Sequence, residues 1–129
     1  MTSRFTELAI DCHRPRELAA FWCAVLDYEV IDERDDLVEI AGWQPTAEAI
    51  RAGVRAPTLT FARVPESKTV KNRLHIDVSP IDGAQEAEVE RLLALGARRV
   101  DIGQGEQSWV VLADPEGNEF CVLRSLQPD

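Results

Sequence analysis

Apolar and polar side chains alternate strictly in the segment 73–78, near the middle of the chain. Leu74, Ile76 and Val78 occupy every second position, and the positions between them are charged or polar. Because successive side chains of a β-strand point to opposite faces, this pattern predicts a strand with one apolar and one polar face. His75 lies on the polar face, where a side chain is free to bind a ligand.

The same pattern opens the chain, and the two halves of the sequence match. Leu8-Ala-Ile-Asp11 corresponds to Leu74-His-Ile-Asp77, so that Ala9 stands where His75 stands. Two further matches follow in the same order, Val38–Ala41 with Val110–Ala113 and Thr58–Phe61 with Glu119–Val122. The sequence therefore predicts one domain, 1–129, built from two β-α-β-β-β repeat units, 1–66 and 67–129.

Helical periodicity appears once in each half. An apolar stripe follows Pro15, a residue that suits the first turn of a helix. In the second half, Asp82 and Gln85 have the spacing of a capping box, and Gly96 marks the end of the helix. The first half also contains an insertion, 43–53, which predicts a short additional helix beginning after Thr46.

Composition and charge narrow the function classes. A net charge of −9 over 129 residues argues against nucleic acid and against an anionic membrane as partners, because both require a basic surface. No apolar run approaches the length of a membrane span. Three widely spaced cysteines without a C-x-x-C pair indicate a reduced, cytoplasmic protein.

Two motifs carry a resemblance to a known family. Lys71-Asn-Arg-Leu-His-Ile-Asp77 opens the second repeat, and Leu112-Ala-Asp-Pro-Glu-Gly-Asn-Glu-Phe-Cys121 leads into its last strand. With the paired repeats they resemble the vicinal oxygen chelate superfamily, in particular its glyoxalase-like and bleomycin-resistance-like domains. The resemblance implies the α+β fold of the glyoxalase, bleomycin resistance and dioxygenase proteins, in which two half-barrels face each other across a cleft.

The resemblance also implies where a metal would bind. Metal ligands of the superfamily come from the first and last strands of the units, and the matching positions here are His75, Glu119, Ala9 and Thr58. Histidine and glutamate suit zinc, iron, manganese or nickel, whereas alanine has no donor atom and threonine is a poor ligand. Glu7, on the same strand face as Ala9, is the predicted third ligand, and Asp11, Asp77 and Glu39 are the further options. Cys121 shares the strand face of Glu119 and could line the cleft, although a packing role is favoured. The alternative is that His75 and Glu119 bind each other or a polar ligand without a metal.

Further side chains are predicted to contact the substrate. Arg73 shares a strand face with His75, where its guanidinium could bind a carboxylate or phosphate, or could instead pair with Glu7 or Asp11. Aromatic side chains predicted at the cleft or its rim are Trp43, Trp109 and Phe120. His75 and Glu119 are the predicted catalytic residues.

Two functions of different classes follow from the resemblance. The first is a metal-assisted enzyme of the lyase or isomerase type that acts on a small oxygenated substrate. The second is a metal-free protein that binds a small molecule, either a drug or a metabolite. In both cases the apolar side chains of the insertion, Trp43 and Ile50, are predicted to favour a homodimer.

Overall fold

Two four-stranded sheets form the framework, one in each half of the chain. The computed structural model describes residues 2–53 and 55–127. The chain divides into two compact units, Met1–Ser67 and Lys68–Asp129. The first unit contains β1 (Glu7–Cys12), α1 (Pro15–Leu26), β2 (Glu29–Arg34), β3 (Leu37–Ala41), α2 (Ala47–Ala52) and β4 (Thr58–Arg63). The second contains β5 (Asp77–Val78), α3 (Gln85–Leu95), β6 (Arg98–Arg99), β7 (Val110–Ala113) and β8 (Glu119–Val122).

Both sheets have the same strand order. It is β1-β4-β3-β2 in the first unit and β5-β8-β7-β6 in the second, with the first and last strands of each unit parallel. Among the described residues, helix α2 is the only element outside the β-α-β-β-β pattern, and it lies in the predicted insertion between β3 and β4. The α+β fold with two β-α-β-β-β units is therefore confirmed.

Helix α1 forms as its sequence predicts. Pro15 is its first residue, and Leu18, Phe21 and Trp22 are buried. The rings of Phe21 and Trp22 meet edge to face, with centroids 5.4 Å apart. Aromatic rings favour this arrangement because the positive edge of one ring meets the negative face of the other. The short helix α2 also begins as predicted: Thr46 caps it, and the Thr46 side chain accepts a hydrogen bond from the Ala49 N–H at 3.1 Å.

Helix α3 begins differently from the prediction. Its N-cap is Ala84, and no side chain caps it, so the predicted capping box of Asp82 and Gln85 is wrong. The Gln85 side chain instead donates from Nε2 to the carbonyl oxygens of Ser108, at 2.8 Å, and Val122, at 3.0 Å. This bonding to distant backbone competes with the local cap. The helix ends at Gly96, as predicted, with φ of 119°.

The strand that carries the first motif is shorter than the alternation predicts. Residues 73–78 were expected to form it, but β5 contains only Asp77 and Val78. The N–H of Asn72 bonds to the carboxylate of Glu119 instead of a neighbouring strand, and Leu74 is 82% exposed. The chain joins the sheet at Ile76, whose carbonyl accepts the N–H of Cys121.

The two units differ in the register of their parallel strands. In the first unit Ala9 pairs with Thr60. The corresponding residues of the second unit are His75 and Cys121, but Cys121 pairs with Asp77, two residues later. A two-residue shift keeps every side chain on its original face, because side chains alternate with a period of two.

Candidate functional site

One face of the second sheet forms the floor of a pocket of about 330 Å³. Side chains from alternate positions line it, as the pleat of each strand requires. The lining residues of the second unit are Lys71, Asn72, His75, Asp77, Ile102, Gln104, Trp109, Val111, Glu119, Cys121 and Leu123. His75 and Glu119 therefore lie on the same pocket wall, which their strand parity predicts.

Glu119 is held by the segment that precedes β5. Its carboxylate lies 2.9 Å from Nζ of Lys68 and accepts the N–H of Asn72 at 3.2 Å. The side chains of Glu119 and Lys68 are only 12% and 23% exposed. Burial raises the pKa of Glu119, but the hydrogen bonds from Lys68, Asn72 and the backbone outweigh burial and lower this pKa below its ordinary value. The carboxylate is therefore ionised at neutral pH.

His75 has a different partner, two residues along the chain. Its Nε2 lies 3.2 Å from Oδ1 of Asp77. One donor atom from each of His75, Asp77 and Cys121 lies within 4.8 Å of the others. Burial, and then the charge of Asp77, raise the pKa of the Cys121 thiol. Imidazole nitrogen, carboxylate oxygen and sulfur are all ligands of zinc.

The first unit does not supply ligands at the positions that the resemblance implies. Ala9 has no donor atom. Thr58 is 2% exposed, and its hydroxyl donates to Oε2 of Glu39 at 2.8 Å. Glu7, the predicted third ligand, is an exposed residue of β1. Glu119 already binds an ammonium group and an N–H. The ligand set of the family therefore does not fit this chain, whereas the donors around His75 have suitable chemistry.

The predicted substrate-binding residues occupy different places. Trp109 lines the pocket and is 37% exposed. Phe120 is 1% exposed and belongs to the core on the opposite face of β8, which differs from its predicted place at the cleft. Arg73 is exposed in the segment before β5 and is not among the described residues that line the pocket. Trp43 lies in the first unit, where its Nε1 donates to the carbonyl of Ala56 and Arg55 covers its ring.

Two residues of the pocket were secondary candidates in the sequence. Asp77 was an alternative third ligand and Cys121 a candidate cleft residue, because alternation places them on the strand faces of His75 and Glu119. Lys68 carries no such signal, because it lies in an irregular connector and reaches Glu119, 51 positions away. Long-range contacts of this kind have no periodic pattern in the sequence.

The motifs and the fold agree with a family model. Residues 7–123 match the family described as glyoxalase-like domain. The chain belongs to this family. No curated protein matches it. In the described residues, no helix of this glyoxalase-like domain is both long enough and apolar enough to cross a membrane.

Solved structures share the fold at low sequence identity. A glyoxalase/bleomycin resistance protein/dioxygenase family enzyme from Burkholderia phytofirmans PsJN is 17% identical, with a TM-score of 0.63 over 93% of this chain and 97% of that chain. A mutant of the fosfomycin resistance protein FosX from Listeria monocytogenes, complexed with Mn(II) and 1S,2S-dihydroxypropylphosphonic acid, is 14% identical, with a TM-score of 0.63 over 97% and 91%. The oxidase ChaP-H2 is 15% identical, with a TM-score of 0.58 over 99% and 96%.

Proposed function

We propose that this glyoxalase-like domain is a metal-assisted enzyme of the lyase or isomerase type, acting on a small oxygenated anion in the pocket of the second unit. The observation that carries the proposal is the meeting of three metal-binding side chains, those of His75, Asp77 and Cys121, in a pocket that Lys71 also lines. The family relationship supports it, because the similar FosX structure contains Mn(II) and an oxygenated phosphonic acid.

The pocket residues have distinct roles in this proposal. Lys71 attracts a carboxylate or phosphonate of the substrate, and the apolar faces of Trp109 and Leu123 contact its carbon skeleton. Glu119, ionised at neutral pH, accepts a proton from the substrate, which leaves the negative charge on the substrate oxygen. Before this transfer the ammonium group of Lys68 stabilises the ionised form of Glu119. A bound divalent ion would polarise a substrate oxygen and stabilise negative charge on it.

A metal-free binding protein is the second candidate. The observation that favours it is the ion pair of Glu119 with Lys68, which satisfies the family-type metal ligand without any ion. The apolar side chains of Ile102, Trp109 and Leu123 would then contact the ligand, and the polar groups would fix its orientation.

Metal content distinguishes the two candidates. The purified protein is analysed for elements before and after treatment with a chelator, and then titrated with zinc, manganese and iron(II). The enzyme proposal expects one ion per chain and loss of turnover of small 2-oxo and 2-hydroxy acids after chelation. A protein that takes up no ion, yet binds an apolar dye in the pocket with unchanged affinity after chelation, would support the binding function instead.

A further inference from the structure

The parallel pairing of β5 with β8 brings two potential metal ligands side by side. Asp77 and Cys121 are direct partners in the register of these strands. Neighbouring strands lie about 4.8 Å apart, so two side chains on the same face of such a pair can share one ion. His75 is on the same face as Asp77, and its Nε2 is already 3.2 Å from Oδ1 of Asp77.

The position at which the family would bind a metal, at Glu119, is already occupied by hydrogen-bond donors of the protein. Glu119 precedes Cys121 by two residues on the same face of β8, and its carboxylate is bound by Lys68 and by the N–H of Asn72. A cation at Glu119 would have to displace an ammonium group whose side chain is mostly buried. Cations repel each other strongly at such distances where water is scarce.

We propose that the metal ion of this chain is held by His75, Asp77 and Cys121, one two-residue step along the strands from the family-type position. The inference deepens the proposed function and rests on it. Three protein ligands with a fourth position left for water or substrate are the usual arrangement of a catalytic zinc site. A thiolate ligand favours zinc over manganese or magnesium, which prefer oxygen ligands.

The remaining groups keep separate functions in this arrangement. Metal binding at this position leaves the ion pair of Glu119 with Lys68 undisturbed, so Glu119 remains available as the proton acceptor. Lys71 lines the same pocket as the three ligands, where it can bind the anionic end of a substrate whose oxygen approaches the ion. Cys12 and Cys23 belong to the first unit and take no part.

Cobalt(II) is the probe that tests the site, because a thiolate bound to cobalt gives a charge-transfer absorption band in the near ultraviolet. The full chain is loaded with cobalt(II), and its affinity for zinc is measured by competition with a chromophoric chelator. We expect the band in the native protein and in Cys23→Ser, and its loss in Cys121→Ser. Cys121→Ser and Asp77→Asn should each weaken zinc binding at least about tenfold, since even loss of a second-shell partner costs 10- to 100-fold. Glu119→Gln should keep the band and change zinc affinity less than about threefold, well below that second-shell cost.

Two outcomes would overturn the inference, and they differ in what they say of the proposed function. If Glu119→Gln abolishes zinc binding while Cys121→Ser leaves it unchanged, the ion occupies the family-type position and the enzyme proposal stands. If no variant and no native protein binds an ion, both the site and the metal-assisted function fail. Asp77→Asn keeps the side-chain shape, so it tests the site even if the buried Cys121 position does not tolerate serine.

Discussion

Two carboxylates of the second unit are stabilised by different partners. Asp114 is 1% exposed and accepts hydrogen bonds from the N–H groups of Glu116 and Asn118, which close the turn before β8. Glu119 is bound by the side chain of Lys68 and by the N–H of Asn72. Backbone donors fix the geometry of a turn, whereas the lysine ammonium can be removed by substitution without any change in the backbone. Asp114 therefore stabilises the turn, whereas the pKa of Glu119 depends on the lysine beside it.

The ion pair with Lys68 makes a pH-dependent contribution to stability. Because the folded-state pKa of Glu119 lies below the ordinary value of 4.5, this contribution is present above pH 4.5 and is lost as pH falls through the folded-state value. We expect Lys68→Met to raise the pKa of Glu119 and to lower the free energy of unfolding at pH 7. The native and variant proteins should approach equal stability at strongly acidic pH.

Carboxyl-carbon NMR titration of Glu119 and urea unfolding at several pH values measure these effects. Lys71→Met is the matched control, because Lys71 lines the same pocket but donates to the carbonyl of Asn72 and not to Glu119. A Glu119 pKa that rises equally in both variants would show that general positive charge, and not the contact with Lys68, sets the titration.

At the scale of elements, local rules of sequence predict the helices and turns well. Pro15 begins α1, Thr46 caps α2, and Gly96 ends α3, because each residue acts on the backbone within one turn of itself. The short β5 could not be predicted from alternation. Its length depends on where Asn72 and Glu119 meet, and those residues are 47 positions apart.

For the candidate site too, local features were predictable from the sequence and long-range contacts were not. The strand faces of His75 and Glu119 were predictable, since alternation decides which side chains share a face. Which side chains meet across the strands depends on register, and register follows from packing and connector length. The pocket face is therefore predictable from the sequence, whereas the pairing of Asp77 with Cys121 is visible only in the structure.

The uncapped start of α3 offers a stabilising substitution. Ala84 is the N-cap, is exposed, and has the extended backbone that N-cap residues adopt, with φ of −78° and ψ of 154°. We expect Ala84→Asp to raise the free energy of unfolding by about 1 kcal/mol, because the carboxylate accepts a free N–H of the first turn. Urea denaturation measures the change.

Ala87→Asp is the matched control for this substitution. Residue 87 is also an exposed alanine, and it lies in the first turn, where aspartate interacts favourably with the helix dipole but does not occupy the N-cap position. This variant should be stabilised less than Ala84→Asp, because aspartate also has a lower helix propensity than alanine. Equal stabilisation by both variants would indicate a general effect of negative charge near the helix and would contradict the capping explanation.

At the scale of the whole molecule, the two units share one strand order but carry different polar side chains at matching positions. The second unit holds the histidine, the cysteine and the acidic residues of the pocket. The first has Ala9 and a bonded Thr58 at the matching positions, and it carries the additional helix α2. Apolar side chains gather beside α2, where Phe5, Trp43 and Ile50 line a pocket of about 250 Å³.

We expect this surface of the first unit to pair two copies of the chain. Phe5 is 67% exposed, and exposed aromatic side chains next to a pocket favour burial against a partner. Sedimentation at micromolar concentration should show a dimer for the native protein and a monomer for Ile50→Glu. Ile81→Glu is the control, since Ile81 is an exposed isoleucine of the second unit and should leave the dimer unchanged. A monomeric native protein would contradict the prediction.

The two-residue difference in register between the units has an evolutionary consequence. After duplication of an ancestral unit, gain or loss of residues in the connector before β5 would let that strand slide along β8. A slide by one residue would turn its apolar side chains to solvent and would be removed by selection. A slide by two leaves the core unchanged but exchanges the side chains that meet, here placing Asp77 beside Cys121. Duplicated sheets can thus acquire new ligand sets through small changes in loop length. The protein would remain folded at each step of such a change.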